Sequence, residues 1–255
     1  MDSQLFTRFA PAIRRYEGNP QSRDLLLASE GLLECFYAPF DWVNPSARLV
    51  VVGITPGRVQ ADNALREAKA QLLQGRDNDE ALRAAKRTGA FSGAMRPNLV
   101  TMLDHIGVAG WLGLGSCSDL FGAAADQLQS TSVLPFPIFV KGQNYNGAPD
   151  PMWSDLLRSL VHQYFVPLMR ALPHAAYVPL GPVPSAVMNW LVREGHIEQR
   201  KVLTGLPHPS GANAERIAYF VGAKPRHALS AKTDPNKLDA ARVGLTEGVA
   251  ALRVL

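Results

Sequence analysis

The run Arg48-Leu49-Val50-Val51-Val52-Gly53-Ile54, followed by Thr55-Pro56-Gly57, decides the fold class of this 255-residue chain. It is continuously apolar and β-branched, the pattern of a strand covered on both faces rather than one. Thr55-Pro56-Gly57 is a tight turn, and residues 62–74 read as the helix that follows it. In an α/β sheet the turn at the carboxyl end of such a strand is where ligands bind.

Outward from there, the same strand, turn and helix order recurs. Residues 175–180 read as a strand closed by Gly181-Pro182 and followed by a helix over 184–192. Residues 201–206 read as a further strand, leading into a helix over 214–221. Residues 131–140 are strand-like, but Pro135 and Pro137 exclude a regular central strand there. Strands separated by helices predict an α/β, three-layer fold: a central, mostly parallel four-stranded sheet with helices on both faces.

The remaining elements read as cover. Residues 4–16 have helical spacing interrupted by Pro11, and Ser22 caps a second helix reaching residue 37. Residues 80–87 form a charged helix that looks solvated. Pro97 opens a helix to residue 106, and residues 119–128 form another. A long helix from Asp150 carries Trp153, Leu156, Leu157, Leu160, Val161, Tyr164, Phe165 and Leu168 as a core stripe, bent or ended by Pro167. A last helix covers 237–252. Length and connectivity predict one domain over residues 1–255, with N-terminal helical cover and a basic C-terminal tail.

The stretch Gly205-Leu206-Pro207-His208-Pro209-Ser210-Gly211-Ala212-Asn213 is the second organising feature. Two prolines hold His208 with little backbone freedom and bias it to an extended conformation. Ser210 and Gly211 then turn the chain toward a helix with Asn213 at its N-cap. One turn therefore offers a positioned imidazole and a hydroxyl.

Composition narrows the classes. With 47% apolar and 19% charged residues, the chain can bury a core and is not a disordered composition. The net charge is +4, which permits a polyanionic partner. From Arg193 onward there are ten Lys/Arg against six Asp/Glu, whereas the preceding residues carry sixteen of each sign. The excess lies with His208, and the segment from Lys224 and Arg226 to Lys232 is a candidate phosphate contact. Cys35 and Cys117 lack metal or redox spacing and read as reduced, partly buried thiols of a cytoplasmic protein. No signal-peptide pattern or membrane-length apolar run is present. Walker-A, His-Glu-x-x-His and paired Cys-x-x-Cys patterns are absent, and Ser210 is not in a Gly-x-Ser-x-Gly elbow.

With both turns in view, the chain resembles the uracil-DNA glycosylase superfamily. The resemblance rests on Val51-Val52-Gly53-Ile54-Thr55-Pro56-Gly57 and His208-Pro209-Ser210-Gly211-Ala212-Asn213, in family order and each after a strand. Residues 91–107 also look like the family's segment after the first motif, a glycine loop and then a helix ending in Ile-Gly. The resemblance implies a uracil-DNA glycosylase-like fold and hydrolysis of the N-glycosidic bond of uracil or another deaminated or modified base in DNA. It implies DNA or a nucleobase-containing ligand as partner, with no cofactor and no metal. His208 would donate to the base carbonyl, stabilising the departing anion. Thr55 would stand at the catalytic position of the first turn, among Gly53, Ile54, Pro56 and Gly57 at the substrate. Ser210, Gly211, Asn213 and Arg58 would hold phosphate, and Phe91 would stack on the base.

The chain departs from the family at named positions. Thr55 replaces the asparagine or aspartate of related enzymes; it can hold a water but cannot act as a base near neutral pH. Ala212 replaces the bulky apolar residue that some members wedge into the base stack. No asparagine lies at residues 130–132, where the base-reading amide is expected, and Asn144 is the substitute. Two functions follow: a divergent glycosylase, or a non-catalytic nucleic-acid or nucleobase binding module on the same fold.

Overall fold

The valine-rich run forms the strand Leu49–Gly53, with Leu49 through Val52 fully buried. The computed structural model describes residues 4–89 and 95–252. In chain order the elements are α1 (Gln4–Arg14), β1 (Leu26–Glu30), β2 (Leu33–Phe36), β3 (Leu49–Gly53), α2 (Arg58–Leu73) and α3 (Asn78–Gly89). They continue as α4 (Met95–His105), α5 (Val108–Leu112), β4 (Leu128–Ser132), β5 (Ile138–Val140), β6 (Gln143–Asn144), α6 (Asp155–Leu160) and α7 (Val166–Ala171). The chain closes with β7 (Ala176–Pro179), α8 (Pro182–Arg193), α9 (Ala214–Phe220) and α10 (Pro235–Ala251).

The fold is α/β, with two sheets. A three-stranded parallel sheet runs in the order β4-β3-β7, with Leu49 to Val52 of β3 opposite Ala176 to Pro179 of β7. A four-stranded antiparallel sheet runs in the order β1-β2-β5-β6. The chain divides into two compact units: Met1–Pro45 with Gly53–Ser92 and Thr131–Pro173, and Ser46–Val52 with Gly93–Ser130 and His174–Leu255.

In the first unit, β1 and β2 replace the helix expected after Ser22. Gly31, at φ 57°, and Leu32 form a two-residue loop that folds Leu33 to Phe36 back on Leu26 to Glu30. The apolar density of this stretch fits both periods; cross-strand pairing decides for the strand. Its core is aromatic, with Phe9 stacked on Tyr37 at 4.5 Å and Phe36 edge-on to Phe139 at 5.9 Å. The long helix is α6, a π turn over Val161–Phe165, and α7. Pro167 has no N–H to give to the ladder, and the widened turn just before it absorbs the mismatch. Trp153 lies before this helix and is 87% exposed, so it is not part of the core stripe.

In the second unit, the helix expected over 119–128 is two 3-10 turns, Cys117–Phe121 and Ala125–Gln127, followed by β4. Asp104 accepts from the Ser116 hydroxyl at 2.8 Å and the Cys117 N–H at 2.6 Å, which pins the start of the first turn. Gly122 then ends it. The expected fourth parallel strand is reduced to a single bridge, Val202 to Tyr177. Gly205, at φ 111°, and Pro207 carry residues 203–207 away from a regular ladder. The segment still bonds at Leu203 N–H to Tyr177 O and at Leu206 O from Gly181 N–H. α10 closes over it: a Cβ on Gly248 would meet Leu203 at 2.7 Å, and one on Gly205 would meet Ala241 at 3.0 Å. α10 thus packs closely on residues 203–205.

Candidate functional site

The first turn belongs to the first unit, and its groups are held by their own surroundings. Gly53 O and Ile54 O accept from Val133 N–H and Leu134 N–H, each at 3.0 Å. A Cβ on Gly53 would come within 3.3 Å of the Ser132 hydroxyl oxygen. The Thr55 hydroxyl donates to Phe136 O at 2.8 Å and accepts from Ile138 N–H at 3.2 Å. It joins the turn to the start of β5 and to the residue two before it. Pro56 is buried behind it.

The start of α2 is closed by side-chain carbonyls. Gly57 N–H donates to Gln60 Oε1 and Arg58 N–H donates to Asn144 Oδ1, both at 3.0 Å. Gln60 reaches back to the cap position as the acceptor of half a capping box. A Cβ on Gly57 would stand 3.7 Å from Asn144 Nδ2. Arg58 is committed as well. Its Nη2 donates to Gln21 Oε1 and Gly142 O at 2.8 Å, and its guanidinium lies 5.2 Å from the Phe139 ring centroid. The structure thus brings Gly53, Ile54, Thr55, Pro56, Gly57, Arg58 and Asn144 together, with Arg58 as a brace between the turn and the β5–β6 hairpin.

The second turn belongs to the second unit. Pro207 and Pro209 are buried, and His208 between them is half-buried. Ser210 N–H donates to Nδ1 of His208 at 3.3 Å. That bond makes Nδ1 an acceptor, so the proton of the neutral ring sits on Nε2. Burial lowers the imidazole pKa from its ordinary value and favours this neutral form. Asn98 on α4 donates to Pro209 O at 2.8 Å, fixing the turn from a second element. Gly181 has φ 87°, so glycine permits the β7–α8 turn, and it packs beside the His208 Cβ, which a Cβ there would meet at 3.5 Å.

Ser210, Gly211 and Asn213 are gathered around His208. Asn213 Nδ2 donates to Ser210 Oγ at 3.2 Å, and Asn213 Oδ1 accepts from Arg216 at 2.6 Å. The Asn213 amide is spent on the turn itself, whereas a Cβ on Gly211 would meet open space. The basic segment is also engaged internally. Lys224 pairs with Glu215 at 2.7 Å, and Arg226 bonds Asn236 at 2.5 Å and pairs with Asp239 at 3.6 Å. Phe91 lies outside the described residues.

One polar cluster has no counterpart in the sequence reading. Lys86 on α3 is 4% exposed, and its ammonium donates to Phe40 O. Burial pushes it down to about 7, against the attraction of Asp41. Burial pushes Asp41 up to about 6, opposed by the Tyr37 hydroxyl that donates to it at 2.9 Å. The available signal was the spacing Ala81, Leu82, Ala85, Lys86, Gly89, which places a lysine on the buried face of a helix read as solvated. Among the described residues no group of three or more His, Cys, Asp or Glu is placed to hold a metal ion, and no helix is long and apolar enough to cross a membrane.

The chain is 36% identical over 197 residues to a protein of Bacillus subtilis (strain 168) named "Uncharacterized protein YoxB", an alignment covering 76% of this chain and 77% of that one. No family model matches the chain. No solved structure matches it.

Proposed function

Because the chain belongs to the family of Bacillus subtilis YoxB, whose name assigns no activity, we propose from the chemistry of the two turns that it is a divergent DNA glycosylase-like hydrolase. In this reading the parallel sheet corresponds to the four-stranded central sheet of the uracil-DNA glycosylase fold, with the Val202 bridge in place of the fourth strand. Its substrate is DNA bearing uracil or another deaminated or modified base, and a cytoplasmic setting goes with it.

The observation that carries the proposal is the geometry at His208: Ser210 N–H donates to Nδ1, which puts the proton of the neutral ring on Nε2 as a donor, and burial favours that neutral form. Cleavage of an N-glycosidic bond sends the bonding electron pair onto the base as positive charge builds on the sugar, and water completes the sugar. A donor aimed at a base carbonyl oxygen stabilises that departing anion and needs no reorganisation as it forms. Extruding the base from a duplex costs about a few kcal/mol, and Ala212 offers no wedge to offset it, so single-stranded substrates are favoured. Thr55 acts in this scheme by holding the first turn on Phe136 and Ile138.

Base release from single- and double-stranded oligonucleotides carrying uracil, hypoxanthine or xanthine, wild type beside His208→Ala, tests the activity. Release by the wild type that falls by about 10²–10³ in the variant is expected. No release at enzyme excess, with host glycosylase excluded by a deletion strain, removes the catalytic reading. A second reading is a nucleobase-binding module without turnover. The Thr55 hydroxyl favours it, since both its donor and an acceptor site are spent on backbone and neither is free to activate water. Salt-dependent binding of the same oligonucleotides without cleavage is its signature.

A further inference from the structure

The phosphate contacts assigned from sequence leave a gap. Arg58, Asn213, Lys224 and Arg226 are all engaged within the molecule. Arg96 is different. It sits in the first turn of α4, and its guanidinium lies 4.7 Å from the Phe121 ring centroid. Its Nε is buried and has no hydrogen-bond partner. Among the described residues no carboxylate pairs with it. A buried donor on a permanent cation is costly in the free protein when it has no acceptor, and an ordered water or an oxyanion would satisfy it. The aromatic face holds the guanidinium plane still, and a planar fork of N–H groups suits phosphate geometry better than an ammonium does.

Placement adds to this. Two residues along the same helix, Asn98 donates to the carbonyl of Pro209. The element that orients Arg96 is therefore one that fixes the His208 turn. We propose that Arg96 is a phosphate-binding residue, taking two oxygens of a phosphodiester in a nucleic-acid strand bound at α4 and the His208 turn. The proposal rests on the reading that this turn faces a nucleotide, and it specifies where the strand is anchored.

The experiment is a fluorescence-anisotropy titration of a single-stranded uracil-containing oligonucleotide, and of the same strand with a tetrahydrofuran abasic analogue. It is run over a salt series for wild type, Arg96→Gln, Arg96→Lys and Arg226→Gln. Arg96→Gln should weaken both strands about tenfold or more and flatten the salt slope by about one unit. Arg96→Lys should fall between, because it keeps the charge and loses the fork, and Arg226→Gln should match wild type. Wild-type affinity and salt slope in Arg96→Gln overturn the assignment. So does binding of inorganic phosphate with no affinity for either strand. If circular dichroism shows Arg96→Gln unfolded, Arg96→Lys decides: reduced affinity supports the anchor and unchanged affinity overturns it. Absence of base release together with an Arg96-dependent salt slope would remove the proposed activity and leave the anchor in place.

Discussion

The Thr55 turn and the His208 turn start alike, each a proline-containing break after an extended segment, and they end in opposite chemical states. At the first, nearly every polar group is spent: the Thr55 hydroxyl on Phe136 and Ile138, the first N–H groups of α2 on Gln60 and Asn144, Arg58 on Gln21 and Gly142. At the second, internal bonds orient the imidazole through Nδ1 and leave Nε2–H, while Gly211 faces open space. Chemistry is available where local satisfaction stops short. A residue type that looks catalytic in a motif becomes a brace when the surrounding backbone claims both its donor and its acceptor.

The largest expected effect breaks the comparison on the His208 side. His208→Ala should lower base release by about 10²–10³ with little change in thermal midpoint. The wild-type rate should hold above the ordinary imidazole pKa of about 6.5. It should fall as pH drops below that through the depressed value, because protonation of Nδ1 sets a proton against Ser210 N–H. A rate that rises in acid would refute the neutral-donor assignment.

The next effect lies away from both turns. Lys86→Met leaves Asp41 half-buried without its cation and should cost about 3–5 kcal/mol in urea unfolding at about pH 6.5, between the two shifted values, where both groups carry charge. Folding raises the Asp41 pKa to about 6, so its charge opposes folding once pH rises through that value and the opposition disappears below the ordinary carboxylate range. The deficit of the variant should therefore shrink as pH falls through 6, and the double variant Lys86→Met/Asp41→Asn should recover most of it. A pH-independent deficit would mean that packing rather than charge dominates.

Thr55→Val sharpens the comparison from the other side. It leaves Phe136 O and Ile138 N–H without their partner and should destabilise by about 1–3 kcal/mol. Base release per folded molecule should stay within a few-fold of wild type; a loss as large as that in His208→Ala would return Thr55 to a catalytic role. The smallest effect concerns the segment after α9. Glu215 accepts from Lys224, the Ser230 N–H and hydroxyl, and Thr233, and these donors hold its carboxyl well below the usual range. Glu215→Gln should speed amide exchange over residues 224–233 while α4 exchanges as before.

Legibility followed the range of the forces involved. β3, β7, α8, α9 and α10 were readable because a buried strand and an amphipathic helix write their periods directly into the chain. The hairpin of β1 and β2 was not, since residues 26–36 satisfy both periods and pairing with β5 settles the matter from more than 100 positions away. The 3-10 turns at 117–127 depend on Asp104, a side chain on another element. The loss of the fourth strand turns on Gly205 and on how closely α10 approaches. At the turns, sequence located His208 and Thr55 as turn residues, whereas Arg58 opens α2 and Asn144 lies in β6, and it could not say which would keep a free hydrogen-bonding group.

The amino-acid order by itself determined the α/β class, the two proline turns and the constraint on His208, because proline, glycine and β-branched residues act through their own backbone and nearest neighbours. Only the tertiary structure decided that Thr55 and Arg58 are spent, that Lys86 is buried beside Asp41, and that Arg96 stacks on Phe121 with an unanswered donor. Hydrogen-bond satisfaction and desolvation are properties of the neighbours that folding brings in, and those neighbours are set by packing rather than by position along the chain.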